Sequence, residues 1–233
     1  FAGPPQMTSM QAPGPPVEYV TAPMVHAVPG LRFVEQFCFP GGSVHVRALE
    51  PESALANYVV QGVKLGDEGM RIFSEMLAKH RTLGMPWDVS NMGFTASGVV
   101  YLASALQTTP CISLELKDNQ IGDQGVENLA EAIAASLAIR YIGLEGNGIS
   151  DAGAQILAEA VGNLEFCTVL NLRNNNIGSE GARHLANMSA FGRVRRTVDL
   201  SDNPIGDEGL VHLFEAARPI EINLSQFPPA PPS

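Results

Sequence analysis

The sequence predicts an α/β solenoid, a right-handed arc of about six strand–turn–helix units with extended arms at both ends. Three observations predict it. Four blocks align at a constant step: LELKDNQIGDQG from Leu114, IGLEGNGISDAG from Ile142, LNLRNNNIGSEG from Leu170 and VDLSDNPIGDEG from Val198, each 28 residues after the last. Within a block the apolar period changes from 2 to that of a helix, so a short strand is followed by an amphipathic helix. Outside the blocks, both ends of the 233-residue chain are rich in proline.

From the amino end, residues 1–30 read as an extended arm holding Pro4, Pro5, Pro13, Pro15, Pro16, Pro23 and Pro29. Proline fixes φ and removes a backbone donor, so such a segment favours polyproline II and builds no core. Segments of this kind order on a surface, and a partner protein is the favoured surface. Residues 31–57 differ, with Phe33, Phe37, Phe39, Val44 and Val46 around a turn at Pro40-Gly41-Gly42. They predict a small extended or hairpin cap on the first repeat, since a solenoid needs its open end covered. An aromatic docking patch for another subunit is the alternative.

The repeat domain is expected over 58–226. Leu114 and Leu116 alternate with polar residues, as in a strand with one buried face. Asn119 stands where the chain turns, and its amide can satisfy backbone groups left open by the bend. With Asn147, Asn175 and Asn203 it predicts a structural ladder along the stack. Asp123, Asp151, Ser179 and Asp207 read as cap or first-turn residues of the helices they open. Val126, Leu129, Ala130 and Ile133 follow at helical spacing, and Gly125, Gly153, Gly181 and Gly209 recur where backbones would come close. Weaker copies lie upstream around Phe94 and Leu65, spaced 27 and 29 residues, and Ile222-Asn-Leu224 is a final half copy. The tail at 227–233, Phe227-Pro-Pro-Ala-Pro-Pro-Ser233, resembles the first arm in composition. Strands stack about 4.8 Å apart and helices about 8–10 Å apart, so the stack must bend with its strands on the concave side.

The motifs Leu116-Lys-Asp-Asn119-Gln-Ile121, Gly122-Asp-Gln-Gly125 and Leu129-Ala-Glu-Ala132, with their copies, resemble the ribonuclease-inhibitor-like leucine-rich-repeat family. The resemblance covers 111–225 closely and 58–110 more loosely. It implies a horseshoe that binds proteins through exposed strand residues. It names no partner, because inhibitors, immune receptors, GTPase activators and structural subunits share the repeat.

Charge and motif content narrow the function. The net charge is −10, from 24 acids and 14 bases, which disfavours nucleic acid and anionic lipid as partners. No apolar run reaches the length of a membrane-spanning helix. Cys38, Cys111 and Cys167 are widely spaced and odd in number, which argues against a disulfide framework and towards an intracellular compartment. The opening Phe1-Ala-Gly-Pro4 resembles the Phe-led cleavage sites of proteins entering secondary plastids, so an organelle is a second possibility.

No phosphate loop, His-Glu-x-x-His or Gly-x-Ser-x-Gly motif occurs. His184 and His212 share a repeat position and are read as a solvated helix face rather than a metal pair. Asp199-Leu-Ser-Asp-Asn203 lacks the glycine and closing glutamate of a calcium loop. Asn187-Met-Ser189 and Asn223-Leu-Ser225 match the glycosylation pattern by chance. No catalytic residue, cofactor or metal is expected.

Binding is expected on the concave strip. The outward positions are Ser113, Glu115, Lys117, Tyr141, Gly143, Glu145, Val169, Asn171, Arg173, Thr197, Asp199 and Ser201. Among them Glu115, Lys117, Tyr141, Glu145, Asn171, Arg173 and Asp199 are the candidate protein-binding residues, with Tyr141 and Arg173 of the types that anchor interfaces. The basic run Arg193-Val-Arg195-Arg196 is expected to be solvated or to meet an acidic partner. These readings predict a non-catalytic accessory or scaffold subunit of a multi-subunit complex. The alternative is a regulator of an enzyme, such as a GTPase activator or an inhibitor-like protein.

Overall fold

The computed structural model describes residues 31–39, 42–49, 58–59, 64–80, 85–162, 164–188, 196–216 and 220–224. Both proline-rich arms, Arg193 and Arg195 lie outside the described residues. β1 (Leu31–Phe39) and β2 (Gly42–Leu49) pair antiparallel, and Pro40 and Gly41 of the expected turn lie outside the described residues. The rest alternates strand and helix: β3 (Tyr58–Val59), α1 (Gly66–His80), β4 (Met85–Asp88), α2 (Ala96–Thr108), β5 (Cys111–Glu115), α3 (Gly122–Ala134), β6 (Tyr141–Gly143), α4 (Asp151–Gly162), β7 (Val169–Asn171), α5 (Ser179–Met188), β8 (Arg196–Asp199), α6 (Gly206–Glu215) and β9 (Ile220–Asn223).

β3 to β9 form one parallel sheet in chain order, the topology of a solenoid. Register advances by one repeat per strand, so Leu114 faces Ile142, Ile142 faces Leu170 and Leu170 faces Val198. Each helix packs on the next. The core is the stack of buried Leu114, Leu116, Ile121 and Leu129 with their copies, such as Ile142, Leu144, Ile149 and Leu157. In the looser copies Phe94 takes the place of Ile121, and Trp87 of Leu114, both fully buried.

Past each of β4 to β8 the chain turns through a residue in the left-handed region. Asn91, Asp118, Gly146, Asn174 and Asp202 occupy that position, with φ between 53° and 67°. Asparagine, aspartate and glycine adopt it at least cost. The next side chain points inward and is asparagine in four repeats. Asn175 Oδ1 accepts from the amides of Asn147 and Ile149, both at 3.0 Å, and its Nδ2 donates to the Leu144, Leu172 and Arg173 carbonyls. Asn119 and Asn203 bridge their own turn and the preceding repeat in the same way. Asn147 departs from the pattern. Its Nδ2 donates to Leu116 and Glu145, yet its buried Oδ1 has no partner.

Two assignments change. Asp123 and Asp151 lie in the first turn of their own helices, but their side chains reach the following repeat. Asp123 accepts from the amides of Ser150 (2.8 Å) and Gly153 (3.1 Å) and from the Ser150 hydroxyl. Asp151 accepts from the Gly178 amide at 2.6 Å. Upstream, Asp67 does the same for Thr95 and Gly98. A Cβ at Gly125, Gly153, Gly181 or Gly209 would collide with Cγ2 of the isoleucine four residues before it (Ile121, Ile149, Ile177 or Ile205), which explains the recurring glycine; at Gly153 it would also meet the Asp123 carboxylate. The starts of α2, α4 and α5 are thus capped from the preceding repeat, where one helix's first turn overlies the next.

The second concerns the basic run. Arg196 opens β8 and is 2% exposed. Its guanidinium donates to the carbonyls of Val161, Gly162, Leu164 and Cys167. It closes the carboxyl end of α4, where carbonyls lack helical donors and the dipole favours a cation.

Candidate functional site

The strand face turned away from the helices carries the sequence-derived strip. Cross-strand neighbours stand one strand spacing apart on it, so side chains from successive repeats meet. The Tyr141 hydroxyl donates to Glu115 Oε2 at 2.7 Å. Lys117 Nζ pairs with Glu145 Oε1 at 2.9 Å, and Asn171 Nδ2 donates to Glu145 Oε2 at 3.4 Å. Asn171 Oδ1 in turn accepts from the Arg173 amide, and the Arg173 guanidinium pairs with Asp202 at 2.8 Å. Asp199 accepts from the Ser201 amide and from Asn223 Nδ2 at 2.9 and 3.0 Å. The candidate residues therefore share one face, where they hold one another in partly buried, ordered positions.

Two outward positions are covered instead. Gly143 is buried because the Glu115 side chain lies over it, and any Cβ there would collide with both carboxylate oxygens. Ser201 is 2% exposed. Its backbone is drawn into the turn, with its amide on Asp199 and its carbonyl taken by Asn174 and Asn203.

Sequence spacing missed Asp202, the ion-pair partner of Arg173. The signal for it is the Asn/Asp/Gly series at the left-handed turn position, which projects beside the strip. It also missed Asp88, whose charge acts on Glu115.

Burial raises the Glu115 carboxyl above the ordinary carboxylate range, against the lowering effect of the Tyr141 hydrogen bond, and the charges of Asp88 and Glu145 add to the rise. Tyr141 is pushed up to about 12 by burial and by its bond to the Glu115 carboxylate. Lys117 is raised by its bond to Glu145.

Elsewhere the chemistry is quiet. Burial drives the Cys111 thiol to about 12 and the Cys167 thiol to about 11, so neither is a ready thiolate at neutral pH. His184 lines an open groove of about 360 Å³ between α4 and α5 with Gln155, Ala158, Glu159, Gly162, Asn187 and Met188. Among the described residues no three His, Cys, Asp or Glu side chains are grouped to hold a metal. Among them, too, no helix is long and apolar enough to cross a membrane.

Parallel strands in chain order, the inward asparagines and a strip of exposed strand residues define a leucine-rich-repeat solenoid. Three stretches, 112–130, 168–186 and 196–214, match the model of the Leucine Rich repeat family, and they coincide with β5–α3, β7–α5 and β8–α6. No curated protein matches the chain.

Proposed function

We propose that the chain is a non-catalytic protein-interaction module of the ribonuclease-inhibitor-like kind, an accessory or scaffold subunit that binds its partner through the open strand face. The observation that carries this reading is the linked strip on that face, Glu115–Tyr141, Lys117–Glu145–Asn171 and Arg173–Asp202. Side chains already ordered by one another lose little freedom on association, which favours binding. Tyr141 and Arg173 combine apolar surface with directed donors, as interface anchors do. In this reading 1–30 and 227–233 are arms that reach the same assembly, 31–57 caps the array, and 58–226 is the repeat domain.

The test is the native mass of the endogenous protein after gentle extraction, with mass spectrometry of co-migrating chains. A large particle with fixed companions, lost on replacing Tyr141 and Arg173 by alanine, supports the proposal. A species at the mass of its single chain overturns the subunit reading. Retention of all companions by the double variant moves the interface off the strand face.

A further inference from the structure

The four inward asparagines are not held alike. Asn119 and Asn175 each make five side-chain hydrogen bonds, and Asn203 makes four. Asn147 makes two, both donated by Nδ2, to the Leu116 and Glu145 carbonyls at 3.0 Å. Its Oδ1 is buried without a partner.

The residue after each asparagine differs as well. Gln120 and Asn176 give their amides to the preceding repeat, to Phe94 O at 3.0 Å and Ile149 O at 2.8 Å. Pro204 has no amide hydrogen. Gly148 gives its amide to no acceptor among the described residues. It is exposed, with φ 70°, and nothing lies within 4 Å of where a Cβ would stand.

Asn147-Gly148 is the chain's single Asn-Gly pair. The backbone nitrogen after an asparagine can close a five-membered ring on the side-chain carbonyl carbon. Ring closure is resisted by a side chain crowding that nitrogen, by a hydrogen bond on its N–H, and by bonds that hold the asparagine amide. Glycine removes the first and permits the turn that removes the second. The unpartnered Oδ1 relaxes the third, leaving two Nδ2 bonds to break.

We propose that Asn147 is a site of spontaneous covalent modification, converting to aspartate and isoaspartate through a succinimide. Gly148 N loses its proton to solvent base and bonds to Asn147 Cγ. The Cγ–Nδ2 bond breaks, and ammonia leaves. Water then opens the ring, at Cγ to give aspartate or at the backbone carbonyl to give isoaspartate. Either product takes the donor from the Leu116 and Glu145 carbonyls and adds a negative charge at a position 3% exposed. Glu145 holds Lys117 and Asn171 on the strand face, so the change loosens that part of the strip.

The test incubates the full chain in neutral and mildly alkaline buffer and follows its tryptic peptides by mass spectrometry. The Tyr141–Arg173 peptide should gain one mass unit, placed at Asn147 by fragmentation and identified as isoaspartate in part by a protein isoaspartate methyltransferase. The gain should quicken as pH rises, while Asn119, Asn175 and Asn203 stay intact. Gly148→Gln, which copies Gln120, should abolish it over the same period. A synthetic Leu144–Ser150 peptide shows that the buffer supports the reaction. An unchanged Asn147 once that peptide has converted overturns the proposal. So do equal gains at the other three asparagines, or a gain at Asn147 that Gly148→Gln leaves unaltered.

Discussion

The Tyr141 hydroxyl donates to the Glu115 carboxylate at 2.7 Å across adjacent strands, and the carboxylate lies over Gly143. Burial makes this carboxylate harder to ionise than in the unfolded chain, against the opposing effect of the Tyr141 hydrogen bond. Between the ordinary carboxylate value and the raised one, the folded state therefore binds more protons. The stability contributed by Glu115 is present below the ordinary value and is lost as pH rises through the raised one. Glu115→Gln should remove that loss, because a neutral amide oxygen still accepts from Tyr141. Urea unfolding across the acid range should show the variant gaining on the parent as pH rises through the raised Glu115 value. A constant difference at all pH values would refute this account.

The same pair predicts the behaviour of Tyr141. Its ionisation is pushed up to about 12, and the chain has four tyrosines, so the difference titration against Tyr141→Phe isolates it. Gly143→Ala should force the Glu115 carboxylate aside, breaking the hydrogen bond and returning Tyr141 towards its ordinary value of about 10. The carboxylate is the far end of a flexible side chain, so the cost in stability should stay below about 1 kcal/mol. Ultraviolet titration and thermal unfolding of the one variant check both halves.

How much of this could be read from the sequence depends on whether the periodicity itself carries it. Ile121, Ile149, Ile177 and Ile205 recur at one step, so strand, turn and helix follow from their spacing alone. Spacing does not say which repeat a side chain reaches. Asp123 lies in the first turn of α3, but its oxygens cap α4, since the ends of adjacent helices are as close as residues within one turn. Arg196 ends a basic run in sequence, yet its reach places it under the carboxyl end of α4. The outward strip follows from alternation. The covering of Gly143 by Glu115 does not, because it depends on the length of a neighbour's side chain.

Capping from one repeat to the next has a measurable asymmetry. Asp123→Ala should cost about 1–2 kcal/mol in urea unfolding, the usual loss on removing a helix cap. It leaves the Ser150 and Gly153 amides without their acceptor. Asp207 occupies the same repeat position, but no further helix follows it among the described residues. Asp207→Ala should change stability by less than about 0.5 kcal/mol. Equal losses would show that each aspartate stabilises its own helix instead.

The asparagine positions should also differ from one another. Asn175 makes five side-chain hydrogen bonds, and Asn175→Ala should cost about 2–4 kcal/mol because buried amides and carbonyls lose their partners together. Asn175→Asp should be little better, since a carboxylate cannot donate to the Leu144, Leu172 and Arg173 carbonyls. Asn147→Ala should cost less, because its Oδ1 is already unpaired. Chemical unfolding of the three variants orders them, and a larger loss at Asn147 than at Asn175 would contradict the ladder geometry.

Arg196 gives the most severe single change. Its guanidinium spans four carbonyls at 2.5 to 3.3 Å, and burial lowers its proton affinity without displacing its charge. Arg196→Met fills similar volume but takes the guanidinium donor from the Gly162, Leu164 and Cys167 carbonyls, while Val161 O keeps the Leu164 amide. The expected loss is about 3 kcal/mol or more, given that unmet buried acceptors cost about 1–3 kcal/mol each and some will rehydrate. Arg196→Lys retains the charge at the helix end, but an ammonium offers three donors from one point where the planar fork reaches acceptors on two sides. Its stability should fall between parent and Arg196→Met. Amide hydrogen exchange should place the loosening at the carboxyl end of α4 and the start of β7. If Arg196→Met instead matched the parent, the buried guanidinium would have no part in joining the carboxyl end of α4 to β8.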